Sequence, residues 1–137
     1  RWFDLDRFAG ASRLTNWIAR TDDLDSALVA APAGCGEPMA LARGDLRWRM
    51  AVPEDGRLPF DGAFPALIEW EGAAHPAARL PDADCRFKAL EVIHPQADAL
   101  RLALTGVLDD PRVAIMQGPE KRLRAHIDTP DGPRVLS

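Results

Sequence analysis

The sequence predicts an α+β fold: paired βαβββ units forming an incomplete barrel, with the helices on the convex side and a concave pocket inside. Two observations carry this. The order strand, helix, three strands occurs twice, over about residues 15–71 and 87–136, and an internal repeat outweighs any single element. Each unit also has one helix, which covers one face of a small sheet and leaves the other bare until two units sit together. The length of 137 residues adds that this is one domain with a real core, not two independent ones.

The elements follow in order. Residues 15–20 form a strand, with Trp17 and Ala19 on one face and Asn16 and Ile18 on the other. A helix over 22–31 follows: Asp22 is its N-cap, and Leu24, Ala27, Leu28 and Ala31 repeat at helical spacing. Pro32 and Gly34 stop it. Residues 37–43 make a short strand. In 46–52, Leu46, Trp48 and Met50 alternate with Arg47, Arg49 and Ala51. Residues 53–65, rich in Pro, Gly and Asp, read as a long ordered loop. A strand at 66–71 and a loop at 72–84 complete the first unit. The second opens with a strand at 87–93. A helix over 95–105 follows, with Pro95 at its first position, Ala97, Leu100, Ala103 and Leu104 on its apolar face, and Gly106 at its end. Strands at 112–117, 122–128 and 134–136 close it, with a strong turn signal at Thr129-Pro130-Asp131-Gly132. Trp17, Leu24, Leu28, Trp48, Leu90, Val92, Leu100 and Leu104 are the predicted core.

Composition narrows the function classes. Apolar residues make up 47% and charged residues 28%, ordinary for a globular chain. The net charge of −4 argues against a nucleic-acid binder. No apolar run reaches the roughly 20 residues of a membrane helix, and no signal peptide opens the sequence. The two cysteines, Cys35 and Cys85, have neither CxxC nor zinc spacing and read as reduced thiols of a cytoplasmic protein. Lys88 and Lys121 are the only lysines, a bias toward Arg that points to a GC-rich bacterial genome. The start without Met reads as part of a longer polypeptide.

Several phrases resemble the glyoxalase-like domain family of the vicinal oxygen chelate superfamily, which includes glyoxalase I, extradiol dioxygenases and bleomycin-binding proteins. They are Arg1-Trp2-Phe3-Asp4-Leu5-Asp6, Asn16-Trp17-Ile18-Ala19-Arg20-Thr21, Arg43-Gly44-Asp45-Leu46-Arg47-Trp48, Pro53-Glu54-Asp55-Gly56, Leu67-Ile68-Glu69-Trp70, His75-Pro76 and Ile127-Asp128-Thr129-Pro130. The resemblance covers nearly all of residues 1–137. It implies an upstream unit, with a Leu-Asp-His strand and a Tyr-Leu-Glu strand that are not in this sequence. It also implies a divalent metal, held by His, Glu or Gln on the first and last strands of a unit, that acts as a Lewis acid on paired substrate oxygens.

Mapped onto these strands, the resemblance singles out Asn16, Glu69, Glu91 and His126. Asn16 stands where His is wanted and is a poor ligand. Glu69 has the alternative of facing solvent at a sheet edge. His126 shares a strand face with Arg124 and Asp128, which also fits a surface charge network. His75 and His94 each precede a proline and read as structural. Arg47 and Arg49 lie on a doubly cationic strand face; if it lines the concavity, the two guanidiniums could hold a carboxylate or phosphate. There is no GxSxG, P-loop, HExxH or GxGxxG. The ligand-binding set is therefore Asn16, Arg47, Arg49, Glu69, Glu91 and His126, with no catalytic residue assigned. No cofactor and no tightly bound metal are expected in this chain, while a divalent metal is possible in the full-length protein.

Three functions compete: a metal-dependent lyase, isomerase or dioxygenase; a non-catalytic small-molecule binding module; and an oligomerisation module. The expected partners are a small-molecule ligand and either a second copy in a homodimer or the upstream unit. Neither nucleic acid nor membrane is expected. Trp2 and Phe3 motivate the assembly, as aromatics that a lone unit pair does not need.

Overall fold

The computed structural model describes residues 2–137; Arg1, which opens the Arg-Trp-Phe phrase, lies outside the described residues. Among these residues the fold is α+β, with eight strands in two mixed sheets, two α-helices and three short 3-10 segments. The first unit consists of β1 (Ile18–Arg20), α1 (Leu24–Ala30), β2 (Glu37–Arg43), β3 (Leu46–Val52) and β4 (Ala66–Trp70). The second consists of β5 (Arg86–His94), α2 (Ala97–Leu104), β6 (Val113–Gln117), β7 (Arg122–Thr129) and β8 (Gly132–Leu136). The order of elements is the one that the periodicities predict.

Local chemistry shifts two boundaries. α1 is capped by Asp23, not Asp22: the Asp23 backbone is extended, and its carboxylate accepts from the Ser26 N–H at 3.0 Å. Asp22, one residue early, faces Arg20 instead at 3.1 Å. β1 is shorter than expected because its ladder with β4 holds only three pairs, Ile18 with Ala66 to Arg20 with Ile68. The Thr15 carbonyl just before it accepts from Lys121 Nζ.

The two units share their element order but not their topology, contrary to the common topology that the repeat predicts. The first sheet runs β1-β4-β3-β2, with β1 parallel to β4. The second runs β6-β5-β7-β8, with β5 parallel to β6. After α1 the chain goes to the far edge of its sheet, so the last strand returns beside the first. After α2 it comes straight back beside β5 as a βαβ unit, and the β7–β8 hairpin fills the other side. Periodicity marks a strand but does not give its neighbour. The sheets do not close into a barrel.

Each helix lies on one face of its own sheet, and the two share a core. Leu24 and Ala27 of α1 pack with Ala19, Ala51 and Leu67. Leu100 and Leu104 of α2 pack with Leu90, Val92 and Leu123, and also with Cys35, Ala63 and Phe64 of the first unit. Leu28, Ala31, Trp17, Val107 and Leu108 touch both clusters. Of the predicted core, Leu24, Leu90, Val92, Leu100 and Leu104 are buried, whereas Trp17, Leu28 and Trp48 are half-buried. The loop at 53–65 supplies what periodicity missed: Leu58, Ala63, Phe64 and Pro65 are all buried. Its 3-10 segment Pro59–Gly62 turns the chain inward.

The other face of the first sheet is a third apolar cluster of Met50, Leu58, Ala66 and Ile68, with Trp48 and Trp70 beside it. Phe3 packs against this cluster within its own chain, while Trp2 remains 37% exposed. Among the described residues no helix is long and apolar enough to cross a membrane.

Candidate functional site

The predicted site residues separate into three places. Glu69, Arg47 and Arg49 lie on the helix face of the first sheet, on the same side as Ala51 and Leu67. Glu69 Oε2 accepts the Leu24 N–H at the start of α1 at 2.6 Å and an Arg49 N–H at 2.9 Å. The Arg49 guanidinium also grips Asp25 Oδ2 through both terminal nitrogens at 2.9 Å. Arg49 first, and the Leu24 amide second, hold the Glu69 carboxyl below its ordinary range. Arg47 is exposed and donates to the Gly44 and Leu46 carbonyls at 2.6 and 3.0 Å. Thus Glu69 and Arg49 pin α1 onto the sheet and do not line a concavity.

Glu91 and His126 do come together. They lie on the face of the second sheet opposite α2, where Glu91 pairs across the ladder with Arg124 and Ala89 with His126. Glu91 Oε2 is 3.0 Å from Arg124 Nε and 3.1 Å from His126 Nε2. The oxygen is inaccessible to solvent, and neither nitrogen is aligned well enough to give it a hydrogen bond.

These residues do not fit the divalent metal that the superfamily implies. Glu69 is committed to a helix end and a guanidinium on one sheet, and Glu91 faces a guanidinium on the other. Among the described residues no three His, Cys, Asp or Glu side chains gather as a metal would need.

The third place contains Asn16, with residues that sequence reasoning did not single out. Asn16 lies in the irregular segment that leads into β1, two residues before Ile18, and not in the strand itself. It lines a cavity of about 670 Å³, bounded by residues 3–8, 13–16 and 56–62 and by Lys121. Four cations line this cavity: Arg7, Arg13, Arg57 and Lys121. Asp4 is shared by Arg7 and Arg57, each at 3.4 Å. Lys121 reaches in from the second unit, in the connection between β6 and β7. Its Nζ donates to the Thr15 and Asp61 carbonyls, both at 2.6 Å. Gly62 makes this approach possible: at φ +79° it adopts a backbone that favours glycine, and a Cβ there would lie 2.8 Å from the Thr15 oxygen and 3.5 Å from Lys121 Nζ. Phe3, Asp4 and Asp61 on the wall, and Phe60 beside it, also have positive φ, the kind of strained backbone that clusters at binding sites.

His94, His75 and Cys35 are structural. His94 is buried; its Nδ1 accepts the Gln96 N–H at 3.0 Å, and its ring meets Phe60 edge-on. His75 caps the 3-10 segment Pro76–Arg79 through Nδ1. Burial pushes the Cys35 thiol up to about 11, leaving it unreactive. Cys85 is free and exposed.

The model of the glyoxalase-like domain family matches residues 1–108, most of the chain. The chain belongs to the glyoxalase-like domain family. It is thereby a member of the vicinal oxygen chelate superfamily. In this glyoxalase-like domain the match takes in the whole first unit, β5 and α2, and the N-terminal and 56–62 walls of the cavity. Lys121 comes from beyond it. Neither the search of curated proteins nor that of solved structures returns a match.

Proposed function

We propose that this glyoxalase-like domain binds a small molecule in the cavity beside Asn16. One observation carries the reading: a recess of about 670 Å³ at which the entry to β1, the N-terminal segment and Lys121 converge. That volume is typical of small-molecule sites, which lie within about 300–1,000 Å³. The wall is mainly polar and charged, with apolar surface from Phe3, Phe8, Leu14 and Leu58, so it suits a polar molecule more than an apolar one. Binding is favoured over metal-dependent lyase, isomerase or dioxygenase chemistry because Glu69, Glu91 and His126 are divided between the two sheets.

The test is a thermal-shift screen of the purified chain against a collection of small polar metabolites, repeated with Asn16→Phe, which puts a bulky ring in the wall of the recess. At least one compound should raise the melting temperature of the parent chain and not of the variant. Compounds that stabilise both proteins equally would place binding elsewhere.

A further inference from the structure

Resting on that reading, we propose that the ligand is an anion, a molecule whose carboxylate or phosphate group sits between Arg13 and Lys121. Arg43, Arg47 and Arg134, which have no carboxylate within ion-pair distance, lie outside the cavity, and ten of the fourteen described arginines have one: Arg20 has Asp22, for example, and Arg49 has Glu69. Arg13 has none. Among the described residues no carboxylate lies within ion-pair distance of it, and it lines the cavity. Its guanidinium donates once, to the Ala9 carbonyl at 3.1 Å, and lies over the Phe8 ring at 4.7 Å. A guanidinium has five N–H donors, so most of its capacity is unused.

Lys121 is similar. Its side chain is 17% exposed, and two of its three donors go to neutral carbonyl oxygens. Its nearest carboxylate, Asp61 Oδ2, is 4.0 Å away on a side chain that is 89% exposed. Burial disfavours its charged form, Asp61 opposes this in part and Arg13 adds to it, a cost that a bound anion would offset. Arg7 and Arg57, by contrast, are already answered by Asp4. The Asn16 amide is a further donor, since its Oδ1 is occupied by the Thr15 hydroxyl at 3.0 Å. Phe3, Phe8 and Leu14 on the same wall provide for an apolar body behind the anionic head.

The experiment is isothermal titration of the intact chain with four probes of one shape: phenylacetate, phenyl phosphate, 2-phenylethanol and phenethylammonium. One or both anions should bind, more weakly as salt is added, and the neutral and cationic analogues should not. Which of the two anions binds more tightly separates a carboxylate ligand from a phosphate ligand. Arg13→Gln, at an exposed position, should weaken the anion about tenfold, the loss of one charge-assisted contact. Lys121→Met should do the same, and Arg134→Gln, outside the cavity, should change nothing. If 2-phenylethanol binds as well as the anions, the anion proposal fails and the small-molecule reading stands. Anion binding indifferent to Arg13→Gln also overturns the proposal. If none of the four binds at millimolar concentration, the anion proposal fails; the small-molecule reading fails with it only if the thermal-shift screen also finds no compound.

Discussion

Glu69 shows how a single side chain can belong to the fold rather than to the chemistry. Its carboxylate closes the exposed start of α1 and neutralises Arg49. Its pKa is lowered in the folded state, so the stability it contributes is present above its ordinary value near 4.5 and is lost as pH falls through the lowered one. Unfolding free energy measured from neutral pH down to pH 3 should therefore fall for the parent chain, and Glu69→Gln should start lower and fall less below about pH 4.5. Parallel curves would mean that Glu69 makes no such contribution. Leu100 is the matching apolar case. It is fully buried between the two units, so Leu100→Ala should cost about 2–5 kcal/mol in denaturant unfolding. A loss under about half a kcal/mol would show that α2 does not pack as described.

At the scale of elements, the strands and helices were legible because their periods differ. Boundaries moved by only a few residues, as at β1. Which face a strand presents was harder to read. β4 opens with the run Ala66-Leu67-Ile68, all buried: Leu67 faces α1 and Ile68 the opposite cluster. A strand buried on both faces shows no alternation, so nothing in the sequence said which side Glu69 takes, and its assignment to the concavity came from resemblance alone. β5 alternates clearly, Leu90 and Val92 against Glu91, and of the four residues that the resemblance put together only Glu91 and His126 meet. α1 is only seven residues long, too short to be stable without its caps and packing. Asp23→Ala should cost about 1 kcal/mol in thermal or denaturant unfolding, whereas Asp22→Ala should cost much less. Equal losses would mean that the cap is not at Asp23.

The whole molecule is held as one body by contacts that no local pattern contains. Phe64 and Cys35 of the first unit sit in the core of the second, and Lys121 bonds to Thr15, 106 residues away. The cavity was illegible for the same reason: the N-terminal segment has no periodicity, and Lys121 looks like an ordinary turn residue before a strand. Cooperativity can be read directly. None of the four tryptophans lies in the second unit: Trp17, Trp48 and Trp70 are in the first and Trp2 is in the N-terminal segment before it, whereas far-ultraviolet circular dichroism reports both units. The two signals should give one coincident unfolding transition. Separate midpoints would show two independently stable units.

The central claim is that the recess beside Asn16, and not the open face carrying Glu91 and His126, receives the ligand. Amide NMR of the isotope-labelled chain titrated with phenylacetate tests it most directly. The account predicts progressive shifts at residues 13–16, 56–62 and 121, with the amides of Glu91, Arg124 and His126 unmoved. Shifts concentrated on β5 and β7, with residues 13–16 silent, would contradict it.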